Sequence, residues 1–276
     1  MAPVRYIDDN FDMSKATIAR RAPAAYADFE GDRQFATTLA RGLELLRCFS
    51  PQHPVLGNKE LAERIGLPRP TVSRLVYTLV TMGYLAQDDS GRYRLGSAVL
   101  ALGYPLLEML AVRQRARPAM LELARELGGS VAIAIRSRLE MVCAEVTRGG
   151  ERTGHPVDIG MAYSMCGSAV GRAYLAGCGA AERQAIMNQV RVKQPDEWER
   201  HAARLQKNLD GYASRGCCVS VGELFADVQA VAVPLGRVDR GEMAVMNCSF
   251  QKRKLDERWL VEKVAPRLTR LARSLN

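Results

Sequence analysis

From Phe35 the apolar positions Leu39, Leu43, Leu46 and Phe49 recur at helical spacing until Ser50-Pro51 and His53-Pro54 stop them. A second helix starts near Asn58, a good N-cap, and carries Leu61, Ala62 and Ile65 on one face up to Gly66. After Leu67-Pro68-Arg69-Pro70 a third helix runs from Thr71, with Val72, Leu75, Val76, Leu79 and Val80 inward, and ends at Gly83. Tyr84-Leu85 resumes as strand, Asp88-Asp89-Ser90-Gly91 signals a hairpin turn, and Arg92-Tyr93-Arg94-Leu95 alternates as the returning strand. The stripe Ala98, Leu102, Leu106 and Leu110 then predicts a linker helix over 97–118 with a kink or break at Pro105. Pro118 opens the next helix, which closes at Gly128-Gly129.

Beyond that point the pattern changes. Strands are expected over 130–136 and 140–147, helices over 167–176, 180–190 and 197–215, strands over 217–221, 228–234 and 243–250, and a closing helix over 255–275. This mixed order suits an α+β domain on a mostly antiparallel sheet. The fold class expected is therefore α/β with two domains. Residues 1–34 read as a tail without sustained periodicity, 35–96 as a winged helix-turn-helix, 97–118 as a linker helix and 119–276 as a C-terminal α+β domain.

The segment from Leu61 to Leu75 carries the most chemistry. A helix-turn-helix needs a small residue where its helices meet, a left-handed turn residue four positions on, and an aliphatic plug six beyond that; Ala62, Gly66 and Val72 supply them in order. The third helix leaves Arg69, Thr71, Ser73, Arg74, Tyr77 and Thr78 outward, a set rich in donors and free of acids. Arg69, Ser73 and Arg74 are expected to reach base edges or phosphates in the major groove, and Tyr77 a phosphate one turn later. Asn58 and Lys59 would position the DNA backbone at a helix N-terminus, and Arg92 and Arg94, on one side of a wing strand, would face a phosphate or a minor groove.

Composition narrows the class further. The chain has 276 residues, 47% of them hydrophobic and 25% charged, with a formal charge of +9. That surplus invites a polyanion, yet residues 35–98 hold eight basic against five acidic groups, while 252–273 hold eight against three. The case for DNA rests on placed arginines rather than total charge. No apolar run approaches the ~20 residues of a membrane span, and the first residues lack a signal-like apolar core, so a cytoplasmic protein with no membrane partner is expected. Seven cysteines without paired ligand spacing, and three scattered histidines, point to reduced buried thiols and to no metal or other cofactor. Cys217 and Cys218 are expected to lie along a strand and point to opposite faces.

With those residues in hand the chain resembles the IclR family of bacterial transcriptional regulators over nearly everything from Phe35 onward. The resemblance is carried by residues 35–46, 58–75, Gly83-Tyr84-Leu85 and Arg92–Gly96, by Met165-Cys-Gly-Ser-Ala-Val-Gly-Arg-Ala-Tyr-Leu-Ala176, and by Asp227–Leu235. It implies a GAF-like effector-binding C-terminal domain and a homodimer or dimer of dimers. It further implies double-stranded operator DNA as partner, RNA polymerase as well if the protein activates, and a small organic acid as effector. Ser168, Ala169 and Val170 at a helix start, Ser220 and Glu223 in the loop before a late strand, and Asn247 and Ser249 on the last strand are the effector residues it implies. Free N–H groups at a helix N-terminus suit a carboxylate, and Asn247 and Ser249 share a strand face by period two. Where the family often has Thr or His, this chain has Met165-Cys166, which suits an apolar or aromatic ligand body. A ligand-responsive regulator of a catabolic operon, and no enzyme, is the expectation. The alternatives are a thiol redox sensor using Cys166, Cys178 or Cys217, or an enzyme with the helix-turn-helix as passenger. For the enzyme no Ser/His/Asp set, phosphate loop or dinucleotide fingerprint stands in the sequence, and Gly167-Ser168-Ala169 lacks the glycines flanking a nucleophile elbow.

Overall fold

The computed structural model describes Phe29 and residues 32–150, 157–239, 241–251 and 255–275. Most of the expected tail over 1–34 lies outside the described residues. The chain divides after Pro105 into two compact units.

The first unit holds α1 (Thr37–Leu46), α2 (Asn58–Ile65), α3 (Arg69–Thr81) and the hairpin β1 (Leu85–Gln87) with β2 (Tyr93–Leu95). Leu45, Phe49, Leu61, Val72, Leu75, Val76 and Leu85 form one small core. Gly66 sits at φ 66°, in the left-handed region the sharp turn demands, and its N–H donates to the Ala62 carbonyl. The third helix starts two residues earlier than the pattern suggested. Pro70 falls in its first turn, where the missing N–H costs no hydrogen bond. Asp88 builds the hairpin turn, its Oδ1 accepting from the Ser90 and Arg92 N–H groups at 3.0 and 2.9 Å. Leu56, which showed no strand signal, exchanges two 2.9 Å backbone bonds with Tyr93 and so extends the wing.

Helix α4 (Ser97–Met109) runs through Pro105 and breaks instead at Leu110, after which α5 (Ala111–Leu127) runs through Pro118. The break expected at Pro105 and the helix start expected at Pro118 are therefore both corrected. Ala101 and Gln114, whose carbonyls each proline leaves without an N–H donor, are exposed to water, so the interruption is cheap.

The second unit is built on β3 (Ser130–Ser137), β4 (Glu140–Arg148), β5 (Ala162–Ser164), α6 (Ala169–Gly177), α7 (Ala180–Lys193), α8 (Pro195–Arg215), β6 (Cys218–Val221), β7 (Val228–Val238) and β8 (Glu242–Gln251). The six strands form one antiparallel sheet in the order β5-β4-β3-β8-β7-β6. The short β5 was not anticipated. The closing helix is not uniform: α9 (Glu257–Trp259) leads into a π-helical turn, Leu260–Val264, before α10 (Ala265–Ser274). Pro266 cannot donate to the turn before it, and the wide turn absorbs that gap. One sheet face packs on α5 and α10, and the other on α6 backed by α8. Cys217 belongs to the first core and Cys218 to the second, so the adjacent pair does point to opposite faces. Among the described residues no helix is long and apolar enough to cross a membrane.

Candidate functional site

Helix α3 presents Arg69, Ser73, Arg74, Tyr77 and Thr78 to solvent, with Thr71 half-buried and Tyr77 74% exposed. Not all of the expected contacts stand free. Asn58 Nδ2 donates to Ser73 Oγ at 2.6 Å, and Ser73 Oγ donates to the Arg69 carbonyl at 3.0 Å, so this pair locks α2 against α3. Lys59 is exposed and lies 3.9 Å from Glu63. Arg92 folds back onto its own unit, its Nη2 donating to the Val55 carbonyl at 3.0 Å and to Glu60 at 3.1 Å. Of the two wing arginines, Arg94 is the one left standing outward.

The second unit holds a partly open cavity of about 130 Å³ between the sheet and the start of α6. It exists because small side chains meet across four strands. The register sets Ser220, Ala230, Ser249 and Ser130 in one row and Cys218, Ala232, Asn247 and Ala132 in the next. Those rows are too short to fill the space beneath the helix. Ser168 caps α6, its Oγ accepting from the Gly171 N–H at 2.9 Å, and the helix start at Ala169 and Val170 lines the hollow with first-turn N–H groups. Asn247 is 2% exposed, and its Oδ1 has no hydrogen-bond partner among the described residues. A buried acceptor left unsatisfied costs roughly 1–3 kcal/mol, so a donor, from water or a ligand, belongs beside it.

Six of the seven expected effector residues line this cavity: Ser168, Ala169, Val170, Ser220, Asn247 and Ser249. Glu223 does not, because its carboxylate is taken by Arg172, which is fully buried, and by Arg204 at 3.3 Å. Arg172 also donates to the carbonyls of Cys166 and Val219 at 2.7 and 2.8 Å, so Glu223 is the counter-charge of an interior cation. Its loop neighbours Leu224 and Phe225 line the cavity in its place. Sequence reasoning also missed Arg148, Met161 and Tyr163. Arg148 supplies a guanidinium at the cavity, bonded to the Val157 carbonyl and 3.5 Å from Asp158. Burial pushes the Tyr163 hydroxyl's ionisation well up, which leaves a neutral donor.

The thiols do not suit a sensor. Burial pushes Cys166 up to about 12 and Cys217 up to about 11, and it raises Cys178 as well, so the reactive thiolate is scarce at neutral pH. No group of His, Cys, Asp or Glu among the described residues could hold a metal ion.

A winged helix-turn-helix is a DNA-binding architecture. The chain belongs to the IclR family: residues 38–89 match the IclR helix-turn-helix domain and 105–276 the bacterial transcriptional regulator IclR C-terminal domain. It is 36% identical over 205 residues to the HTH-type transcriptional regulator TsaQ1/TsaQ2 of Comamonas testosteroni, covering 72% of this chain and 73% of that one. The crystal structure of an IclR-family regulator from Brucella abortus matches with a TM-score of 0.79 at 42% identity, over 88% of this chain and 92% of that one. An IclR homolog from Microbacterium hydrocarbonoxydans, solved with 4-hydroxybenzoate, shares the fold at 20% identity and a TM-score of 0.64, over 86% of this chain and 97% of that one.

Proposed function

We propose that this regulator binds operator DNA through residues 35–96 and that a small organic acid in the cavity of residues 119–276 modulates its affinity, with 97–118 as the link. Lys59, Arg69, Thr71, Arg74, Tyr77 and Arg94 are the contacting set; Asn58, Ser73 and Arg92 brace the reading surface. The observation that carries the effector reading is the buried, unpartnered Asn247 Oδ1 in the same hollow as the α6 N-terminus and Arg148. An apolar cavity of roughly 150 Å³ accepts a benzene-sized guest, so about 130 Å³ limits the occupant to a small molecule, and the polar lining of Arg148, Ser168, Ser220, Asn247 and Ser249 favours an acid. Its carboxylate would face the Ala169 and Val170 N–H groups, and a hydroxyl or other donor would face Asn247. The 4-hydroxybenzoate of the Microbacterium homolog has both groups, and catabolism of such acids is the process we assign to the regulated operon. The protein acts in the cytoplasm, and no chemistry is required of it.

A homodimer is supported by apolar surface that one copy leaves in water. No residue of α4 is buried, Leu100 is 80% exposed, and Leu102, Tyr104 and Leu106 are exposed with it, as are Leu39 and Leu43 on α1. Selection from a random duplex library should return an inverted repeat with half-sites about 10 bp apart or a multiple of that. Arg74→Ala should weaken binding to the selected duplex by about tenfold or more. Recovery of sequences bound no better than random DNA would overturn the DNA reading. A thermal-shift panel of benzoate, 4-hydroxybenzoate and acyclic dicarboxylates tests the cavity, and a flat response across it would overturn the acid reading.

A further inference from the structure

Strand β4 carries a bulge that sends Cys143 and Glu145, two residues apart, to opposite sides of the sheet. Met141 and Cys143 belong to the cavity-side core, and strict alternation would put Glu145 beside them. Instead Ile133 pairs with Glu145 and Ala134 with Cys143, which leaves Ala144 as the extra residue. After it Val146 joins the cavity-side core and Arg148 lines the cavity, while Glu145, 2% exposed, turns to α5. There its carboxylate meets Arg117 at 2.6 Å and Arg113 at 3.2 Å, and Oε1 also accepts from the Val146 N–H at 3.0 Å. Arg113 reaches on to the last turn of α4, donating to the Leu107 carbonyl at 3.0 Å. The break at Leu110 thus lies between the two ends of one guanidinium's contacts.

The other side of the bulge holds the cavity wall. The Cys143 N–H donates to the Met161 carbonyl at 2.8 Å, and the Gly160 N–H donates to the Cys143 carbonyl at 2.8 Å. Met161 and Tyr163 line the cavity, and Tyr163 pairs with Met141 on β4. A second carboxylate, Asp239, accepts from the Val112 N–H at 3.0 Å and steadies the first turn of α5 without involving β4.

We propose that Glu145 is a positioning residue which couples the cavity to the α4–α5 joint: the bulge lets the strand that carries a cavity wall also hold Arg113, and through it the end of α4. This rests on the reading of the cavity as a regulatory site for DNA binding. Coupling is reciprocal, so DNA bound at the reading head must alter the cavity even when no effector is present. The test is amide hydrogen exchange on the full chain, with and without the duplex recovered by selection. Duplex binding should change exchange of the 157–164 segment by about fivefold, the lower end of ordinary coupling. Glu145→Gln, and separately Arg113→Met, should still bind the duplex and lose that change, while Arg113→Lys should keep much of it. A purely structural role would raise exchange with or without duplex and leave the ratio intact. An unaltered ratio in wild type, or one that survives in both Glu145→Gln and Arg113→Met, overturns the coupling alone. Failure to recover any duplex overturns the DNA reading first, and the coupling with it.

Discussion

In the winged unit the proposed DNA-contacting groups stand on exposed surfaces of α2, α3 and the wing over a small apolar core; in the second unit the cavity-lining groups come from the start of α6 and from strands far apart in the chain. The first arrangement keeps its charges in water, where desolvation costs little. The second holds polar atoms and a fully buried guanidinium inside the protein, so each needs a partner and a lost partner is expensive.

That contrast is sharpest at Glu223. Replacing it by Ala leaves Arg172 without its counter-charge and should destabilise the second unit by about 3–5 kcal/mol. A two-transition melt should show this loss in that unit alone. Equal loss in both transitions would mean the units do not unfold independently. In the winged unit the largest expected single effect is conformational: Gly66→Val forces a β-branched residue to φ 66° and should cost about 1–2 kcal/mol in the other transition.

Asn247→Leu tests the opposite sign. Removing an unsatisfied buried acceptor should leave the second unit unchanged or more stable by about 1 kcal/mol, while abolishing stabilisation by whichever acid the panel identifies. A large loss of stability would show that Asn247 serves the fold. The smallest effect is on the surface. The Gly57 N–H first, and then Arg92, hold the Glu60 carboxyl below its ordinary 4.5. The unfolded chain therefore takes up that proton more readily, so this contribution is full above 4.5 and is lost as pH falls through the lowered value. Protection of the 57–66 amides, measured against the intrinsic exchange rate at each pH, should fall in that acid window and cease to do so in Glu60→Gln.

The same contrast explains what was legible in the sequence. Ala62, Gly66 and Val72 act at fixed spacings within a few turns of helix, so their roles can be read along the chain. The effector residues could be placed on elements by pattern and resemblance, but the cavity depends on a register joining β6, β7, β8 and β3. Its trace in the sequence is faint: Ala230, Ala232, Asn247 and Ser249 recur by twos where larger side chains would close the space. Glu223 lies in the expected loop, but its pairing with Arg172 on another element keeps it out of the cavity and cannot be read along the chain, and Glu145 gives no signal because a bulge overrides the alternation that assigns faces. Nothing in the wing's own pattern shows that Arg92 meets Glu60, because that carboxylate belongs to a separate helix.

The pairing of β3 with β8 joins Ser130 to Ser249, about 120 residues later in the chain. During synthesis the reading head emerges whole and can fold at once, whereas the sheet cannot complete itself until the last strand has left the ribosome. A chain cut short before β8 would carry a finished winged unit and an incomplete sheet. Nonsense mutations late in the gene should therefore yield fragments that keep the reading head and lack the cavity.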